Sequence, residues 1–422
     1  MRKDRFLQLA LIALLSVVVL GANAQQKYQN PTGDKFPIVA WYQFHNEQDA
    51  SKARFQKLAE GGFTLSMSRF ENTTNLTNAL DAIRDTGVKL ILCNSYVTSS
   101  AENAMQFVSQ YKDNTHIAMW GICDEPHPLD FSKWRPIIDA NDLASNNRQM
   151  SHVNLFPSYV GETALGCTYT EYLRDAVAEM HLPFISYDHY PVYEFHDDET
   201  DTWIEMFRSD FYSNFEQVRQ VSRENGMPFW PFCMSSAHRD PNQPKYRYTA
   251  PTQGLLNLEA YAGLAYGAQG LQYYRISAVS WSGNVFQDVP VDENGNTNFV
   301  WEYIKKINID IQKHASIFLG NNVINVWHTG TIPQGTRKLT TPPYPFTSIS
   351  GNRTEGLIVS YFINGTRNFL MIVNKDYKNS QTVEVQRSSS EVRRVNENGA
   401  FVRDNRVSFS VPAGGYMLFT WI

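Results

Sequence analysis

After its first two dozen residues this chain has no long apolar run. It also has no basic excess, no glycine-rich phosphate loop and no histidine pair at metal-binding spacing. Each absence excludes something. A bilayer span needs about 20 apolar residues, so no membrane insertion of the mature chain is expected. A net charge of −5 does not fit nucleic-acid binding, which calls for a basic surface. The first strand-like run, 36–44 (FPIVAWYQF), is not followed by the Gly-rich turn of a dinucleotide-binding sheet. The ten histidines are scattered, with no H-x-x-x-H pair, which argues against a zinc hydrolase. No cofactor or metal is expected. Only four cysteines occur, at 93, 123, 167 and 233, in neither a disulfide framework nor a zinc pattern. Three of them fall in strand-like runs, where a free thiol packs as a small apolar group.

The one early apolar run reads as a secretory leader. Arg2, Lys3 and Arg5 precede the apolar stretch 6–20, and Ala22-Asn23-Ala24 forms a small-residue cleavage site. Residues 1–24 are therefore expected to be a signal peptide. The mature chain would begin at Gln25 and be secreted or periplasmic.

From residue 25 to about 320, strand-like runs alternate with helical ones. The runs are 36–44, 63–68, 88–94, 117–123, 150–156, 183–187, 228–234 and 270–276. Eight such units predict a closed parallel (β/α)8 barrel, an α/β fold. From 321 to 422 the pattern changes to alternating apolar and polar residues broken by turns such as Asn364-Gly365 and Gly414-Gly415. That predicts a small C-terminal antiparallel β-sandwich, expected to buttress the barrel. The charge is uneven. The last 102 residues carry +5 and the leader +2, which leaves −12 on the mature barrel.

The fourth run, Ile117 to Cys123, is fully apolar and leads straight into Asp124, Glu125 and Pro126. Acids at the end of a buried strand are costly unless something requires them there. The bland alternative is that Asp124 caps the next helix. His127 follows these acids, and the carboxyl ends of the other runs carry Trp41 and Tyr42, Arg69, Asn94 and Tyr96, Asn154, Asp188 with His189 and Tyr190, Tyr274, and then Trp281. In a barrel these ends share the active-site face. Carboxylates, amides and many rings in one place suit a carbohydrate, whose hydroxyls take hydrogen bonds and whose C–H faces stack on aromatics. Such rims are also polar for plain solvation.

These residues resemble a large clan of retaining glycoside hydrolases on (β/α)8 barrels, which includes β-galactosidases, cellulases and mannanases. There the fourth strand ends in Asn-Glu-Pro and the Glu is the acid/base, so the resemblance assigns that role to Glu125. Asp124 stands where the clan has the Asn that contacts the substrate's 2-hydroxyl. A smaller bacterial group shares Asp-Glu-Pro, and further stretches here are similar to it. They are Tyr187-Asp188-His189-Tyr190-Pro191, Pro251-Thr252, Gly267-Ala268-Gln269-Gly270 and Val326-Trp327-His328-Thr329-Gly330. One departure is large: the clan's nucleophilic Glu closes strand seven, but the stretch Phe229 to His238 holds no carboxylate. Glu259 lies mid-helix, in the wrong context.

Two readings follow. In the first, the chain is a glycoside hydrolase with Glu125 as general acid and Asp188 as the second carboxylate. A separation near 5 Å would make Asp188 a nucleophile, and one of about 6.5–9.5 Å a base that activates water. His189 would orient Asp188, and Tyr190 or Tyr42 would hydrogen-bond developing charge. In the second, a degenerate barrel binds carbohydrate without cutting it.

Overall fold

The computed structural model describes residues 27–41, 44, 46–277 and 285–422. The leader, Tyr42 and Trp281 lie outside the described residues. Eight parallel strands close into a barrel: β1 (Ile38–Trp41), β2 (Leu65–Arg69), β3 (Lys89–Cys93), β4 (Ile117–Asp124), β5 (Met150–Leu155), β6 (Ile185–Tyr187), β7 (Phe229–Met234) and β8 (Leu271–Tyr274). Each pairs with its chain neighbours, and β8 returns to β1. Side chains alternate across this sheet. Val39, Leu65, Met67, Ile91, Met119, Met150 and Phe232 fill the interior, while Ile38, Leu90, Leu92 and Trp120 pack outward on the helices. Tyr28 closes the bottom, its ring 6.1 Å from Phe184 and 6.2 Å from Trp230.

The helices carry local start and stop signals. Thr168 and Glu171 form a reciprocal capping box on Tyr169–Met180. The helix Phe211–Asn225 ends at Gly226, in the left-handed region. Between β6 and that helix the chain makes an excursion. A hairpin, Val192–Asp197 with Thr202–Phe207, is joined by Tyr246–Arg247 to form a three-stranded sheet.

The C-terminal strands are β9 (Asn322–His328), β10 (Phe346–Gly351), β11 (Leu357–Asn364), β12 (Arg367–Asn374), β13 (Gln381–Arg387), β14 (Arg393–Val395), β15 (Phe401–Val402), β16 (Ser408–Val411) and β17 (Tyr416–Trp421). They form a six-stranded sheet in the order β9-β11-β12-β17-β14-β15 and a three-stranded sheet β10-β13-β16.

Here the structure departs from the expected alternation. β13 does alternate between buried and exposed. The middle of the larger sheet is instead buried on both faces. Leu357, Val359, Leu370, Ile372 and Phe419 pack on the smaller sheet, and Ile358, Phe362, Phe369, Met371, Val373 and Leu418 join the barrel's outer core. Burial on both faces is why these strands read as continuous apolar runs. The fit is close. A Cβ on Gly254 would meet the Tyr377 carbonyl at 2.1 Å, and one on Gly414 the Gly254 carbonyl at 2.0 Å. Asn364 Nδ2 also donates to the carbonyls of Ser316, Ile317 and Leu319 at 2.9–3.1 Å.

Candidate active site

β4 delivers the acids through a register shift. Gly121 pairs with His152 of β5, but the next pairs are Cys123 with Val153 and Asp124 with Asn154, so one extra residue is accommodated in β4. Ile122 and Cys123 both face the outer core. Asp124 thereby shares the inward face of Asn154, where strict alternation from inward Gly121 would have turned it outward. Glu125 follows at φ 48°, a conformation costing a non-glycine residue roughly 1–3 kcal/mol and typical of functional sites. Its N–H donates to the Asn154 carbonyl at 2.8 Å. The next helical turns are capped by His127, not Asp124, so the capping alternative does not hold.

Asn154 is the hub. Its Nδ2 donates to Asp124 Oδ1 at 2.9 Å and to Asp188 Oδ1 at 3.0 Å. Its Oδ1 accepts from the Ser186 hydroxyl at 3.0 Å. Gln272 Nε2 donates to that hydroxyl at 2.8 Å, and Gln272 Oε1 meets His152 Nε2 at 2.8 Å. A polar chain thus crosses the barrel interior from β8 to the acids and fixes the amide so that it presents N–H to two carboxylates. Burial lowers His152 to about 4, so its ring is neutral at pH 7.

Three carboxyl groups converge at this end of the barrel. Asp188 and Glu125 are hydrogen-bonded to each other, and the Tyr190 hydroxyl hydrogen-bonds Asp188. Burial first, then the charges of Asp188 and Asp124, push Glu125 up to about 9. Burial and Asp124 push Asp188 up to about 7. Burial also raises Asp124, against the pull of the Asn154 amide. Asp124 is nonetheless reached by solvent, because it lies on the floor of an open cleft with protein on most sides. Close carboxyls cannot all ionise, and Glu125 is the member that holds a proton through neutral pH.

The other sequence candidates divide. Trp41 and Arg69 line a cavity of about 90 Å³ together with Asp124 and His152, and Arg69 also pairs with Glu71 at 2.7 Å. Tyr274 lies 6.0 Å from Tyr190, ring to ring. Tyr96 is exposed and stacks on Phe107. Asn94 is committed to backbone, accepting from the Tyr96 N–H and donating to the Phe70 carbonyl. His127 accepts from the Leu129 N–H and meets the Ala164 carbonyl. His189 does not orient Asp188, because its Nε2 faces Asp210 at 3.2 Å; Asn154 and Tyr190 hold Asp188 instead.

The hydrogen bond between Glu125 and Asp188 leaves both roles of Asp188, nucleophile or base, open. β7 ends at Met234 and is followed by Ser235 and Ser236. Glu259 is buried behind it, kept neutral by burial, with Oε1 accepting from the Met234 N–H at 3.4 Å. Among the described residues no group of three His, Cys, Asp or Glu is arranged to hold a metal ion.

Sequence reasoning missed a cation at this mouth. Arg208 lies 3.9 Å from the ring centroid of Tyr159 and 4.3 Å from that of Tyr193, and donates to the Tyr190 carbonyl at 3.2 Å. Its only signal was the unusually long connection, 188–210, between β6 and its helix.

Residues 158–313 match the family model described as β-galactosidase, Glyco_hydro_42. The matched stretch runs from the loop after β5 to the last barrel helix, so it includes Asp188 but not Glu125. No curated protein matches the sequence. Among solved structures, a β-galactosidase from Bacillus circulans sp. alkalophilus superposes with a TM-score of 0.59 at 9% identity, over 92% of this chain and 99% of that one. A catalytic mutant of a β-galactosidase from G. stearothermophilus gives 0.58 at 10% identity, over 94% and 100%. The β-galactosidase of Rahnella sp. R3 gives 0.57 at 10% identity, over 93% and 99%. At such identities the likeness speaks for the fold, and the family match adds a sequence signal across the second half of the barrel. Together they place this chain in the (β/α)8 glycoside hydrolase superfamily.

Proposed function

We propose that this chain is an exported glycoside hydrolase that cleaves a β-galactoside or a closely related glycan, with Glu125 as general acid and Asp188 as the second carboxylate. The observation that carries the reading is the crowding of buried Glu125 by Asp188 and Asp124, which favours its protonated form. A carboxyl held up to about 9 by burial and two neighbouring acids is a proton donor at neutral pH, able to protonate the leaving oxygen of a glycosidic bond. In the free protein the Glu125 and Asp188 carboxyls touch, so the substrate must part them before either can flank the anomeric carbon. Asn154 and Tyr190 tether Asp188, whereas Glu125 stands beyond the strand on its left-handed turn. Glu125 is therefore the group that moves.

The test is a pH profile on aryl and unactivated β-galactosides. Activity should need Asp188 ionised, above about 7, and Glu125 protonated, below about 9. kcat/KM should then follow a bell between those values, set by the cluster as a whole. NMR of the first-formed anomer assigns Asp188 as nucleophile (retention) or base (inversion).

The lack of a carboxylate after β7 favours a second reading, a sugar-binding protein that does not cut. Binding without turnover across a panel of glycans would establish it and overturn the first.

Export is a separate element of the proposal and rests on residues 1–24. Protein recovered from the native secretion route should start at or near Gln25 by N-terminal sequencing. An intact leader on cytosolic protein would refute it.

A further inference from the structure

The stretch Val326-Trp327-His328-Thr329-Gly330 takes no part in the acid cluster. The chain just after it, at Thr331, Pro333 and Gln334, lines a cavity of about 410 Å³ between the barrel's excursion and the antiparallel sheets. Thr331 N–H donates to the Thr354 carbonyl at 2.8 Å. Gly330, at φ +65°, lies so close to this wall that a Cβ would stand 2.5 Å from the Thr354 carbonyl. The facing wall is aromatic. Phe207 and Tyr377 stack at 5.8 Å with 22° between their planes, and Tyr212 lies beside them. The Tyr377 hydroxyl is anchored on Glu205 at 2.8 Å.

Lys375 enters this cavity from the end of β12 and is only 5% exposed. Its Nζ donates to the Thr331 carbonyl at 2.6 Å and sits 5.9 Å from the Tyr212 ring centroid. Among the described residues no carboxylate forms an ion pair with it. Glu355 stands exposed on the rim and acts only through space. His328, behind Tyr212, is neutral, with Nε2 engaged by the Tyr266 hydroxyl. Burial lowers Lys375 to about 8, which leaves it charged at neutral pH. An ammonium has three donors, and a buried charge lacking a counter-ion is costly. Ring faces beside an uncompensated cation, in a cavity of ligand size, suit a sugar that carries an anion.

We propose that this cavity is a second carbohydrate site, separate from the acid cluster, which takes a uronic-acid unit of a glycan with its carboxylate on Lys375 and its ring against Tyr212 and Tyr377. Calorimetric titration of the full chain tests it, in a Glu125→Gln background that suppresses turnover. The probes are trigalacturonate and a neutral galactotriose. The acidic trisaccharide should bind about tenfold tighter or more, the scale of one charge-assisted hydrogen bond. Lys375→Met should abolish that preference, and Tyr377→Ala should weaken both ligands. Thermal melting checks that each variant is folded, and Lys375→Gln replaces the Met variant if that one is not. Equal binding of the two trisaccharides, no binding of either, or a preference that survives loss of the ammonium would overturn the proposal. Binding is the only readout, so this outcome is independent of whether the barrel cleaves galactosides.

Discussion

Glu125→Gln should leave the fold intact and lower turnover of an unactivated galactoside by about 10²–10⁴-fold, the usual contribution of a positioned general acid. The amide keeps the shape of the carboxyl and can still hydrogen-bond Asp188. The loss should shrink for aryl galactosides, whose leaving groups need little protonation, and the alkaline limb of the pH profile should disappear. Asp188→Asn should lose activity on both substrates, because a better leaving group cannot replace a nucleophile or base. Asp124→Asn should cost less, since an amide can still meet Asn154 once one of the two is turned. Steady-state rates of the three variants on both substrates decide the matter. Full activity of Glu125→Gln on the unactivated galactoside would remove Glu125 from its role.

A chain ending at Gly320 should be largely insoluble or melt far below the full chain. The six-stranded sheet covers the helix Gln253–Tyr266 with Ile358, Phe362, Phe369, Met371, Val373 and Leu418. Burial of such side chains stabilises by about 1.5–3 kcal/mol each, a total comparable with the ~5–15 kcal/mol margin of a folded protein. Truncation would also uncover the side of that helix carrying Gly254, Leu258 and Tyr261, which now lies against Tyr377, Gly414 and Tyr416. Soluble yield and thermal melting of the two forms measure this. A soluble fragment that melts within a few degrees of the whole would show that the sheets are not a buttress.

The barrel was legible because each strand is a short apolar run closed by a turn signal, and its helices carry caps such as Ser51 and Thr252. β10 was not, since Phe-Thr-Ser-Ile-Ser-Gly has little apolar weight. The hairpin Val192–Phe207 hid in a mixed polar and aromatic stretch. Both become strands only through their partners. Within the site, Asp124 and Glu125 stood out because acids interrupt a buried strand. Asn154 was readable as a strand-end residue but not as the bridge between Asp124 and Asp188, which lie 30 and 34 positions away. His189 misled because adjacency in sequence suggested a partnership that the fold gives to Asp210.

The register shift in β4 gives the acid pair an unusual kind of inheritance. What aims Asp124 at Asn154 is the count of residues between Gly121 and Asp124, not the chemistry of any one of them. Point substitutions at Ile122 or Cys123 would alter packing yet leave the aim unchanged. Loss of a single codon there would turn the first acid toward the helices while preserving every residue that the site uses. In this strand catalytic competence is recorded in spacing, and relatives that differ by one residue there would diverge in activity with their acidic motif intact.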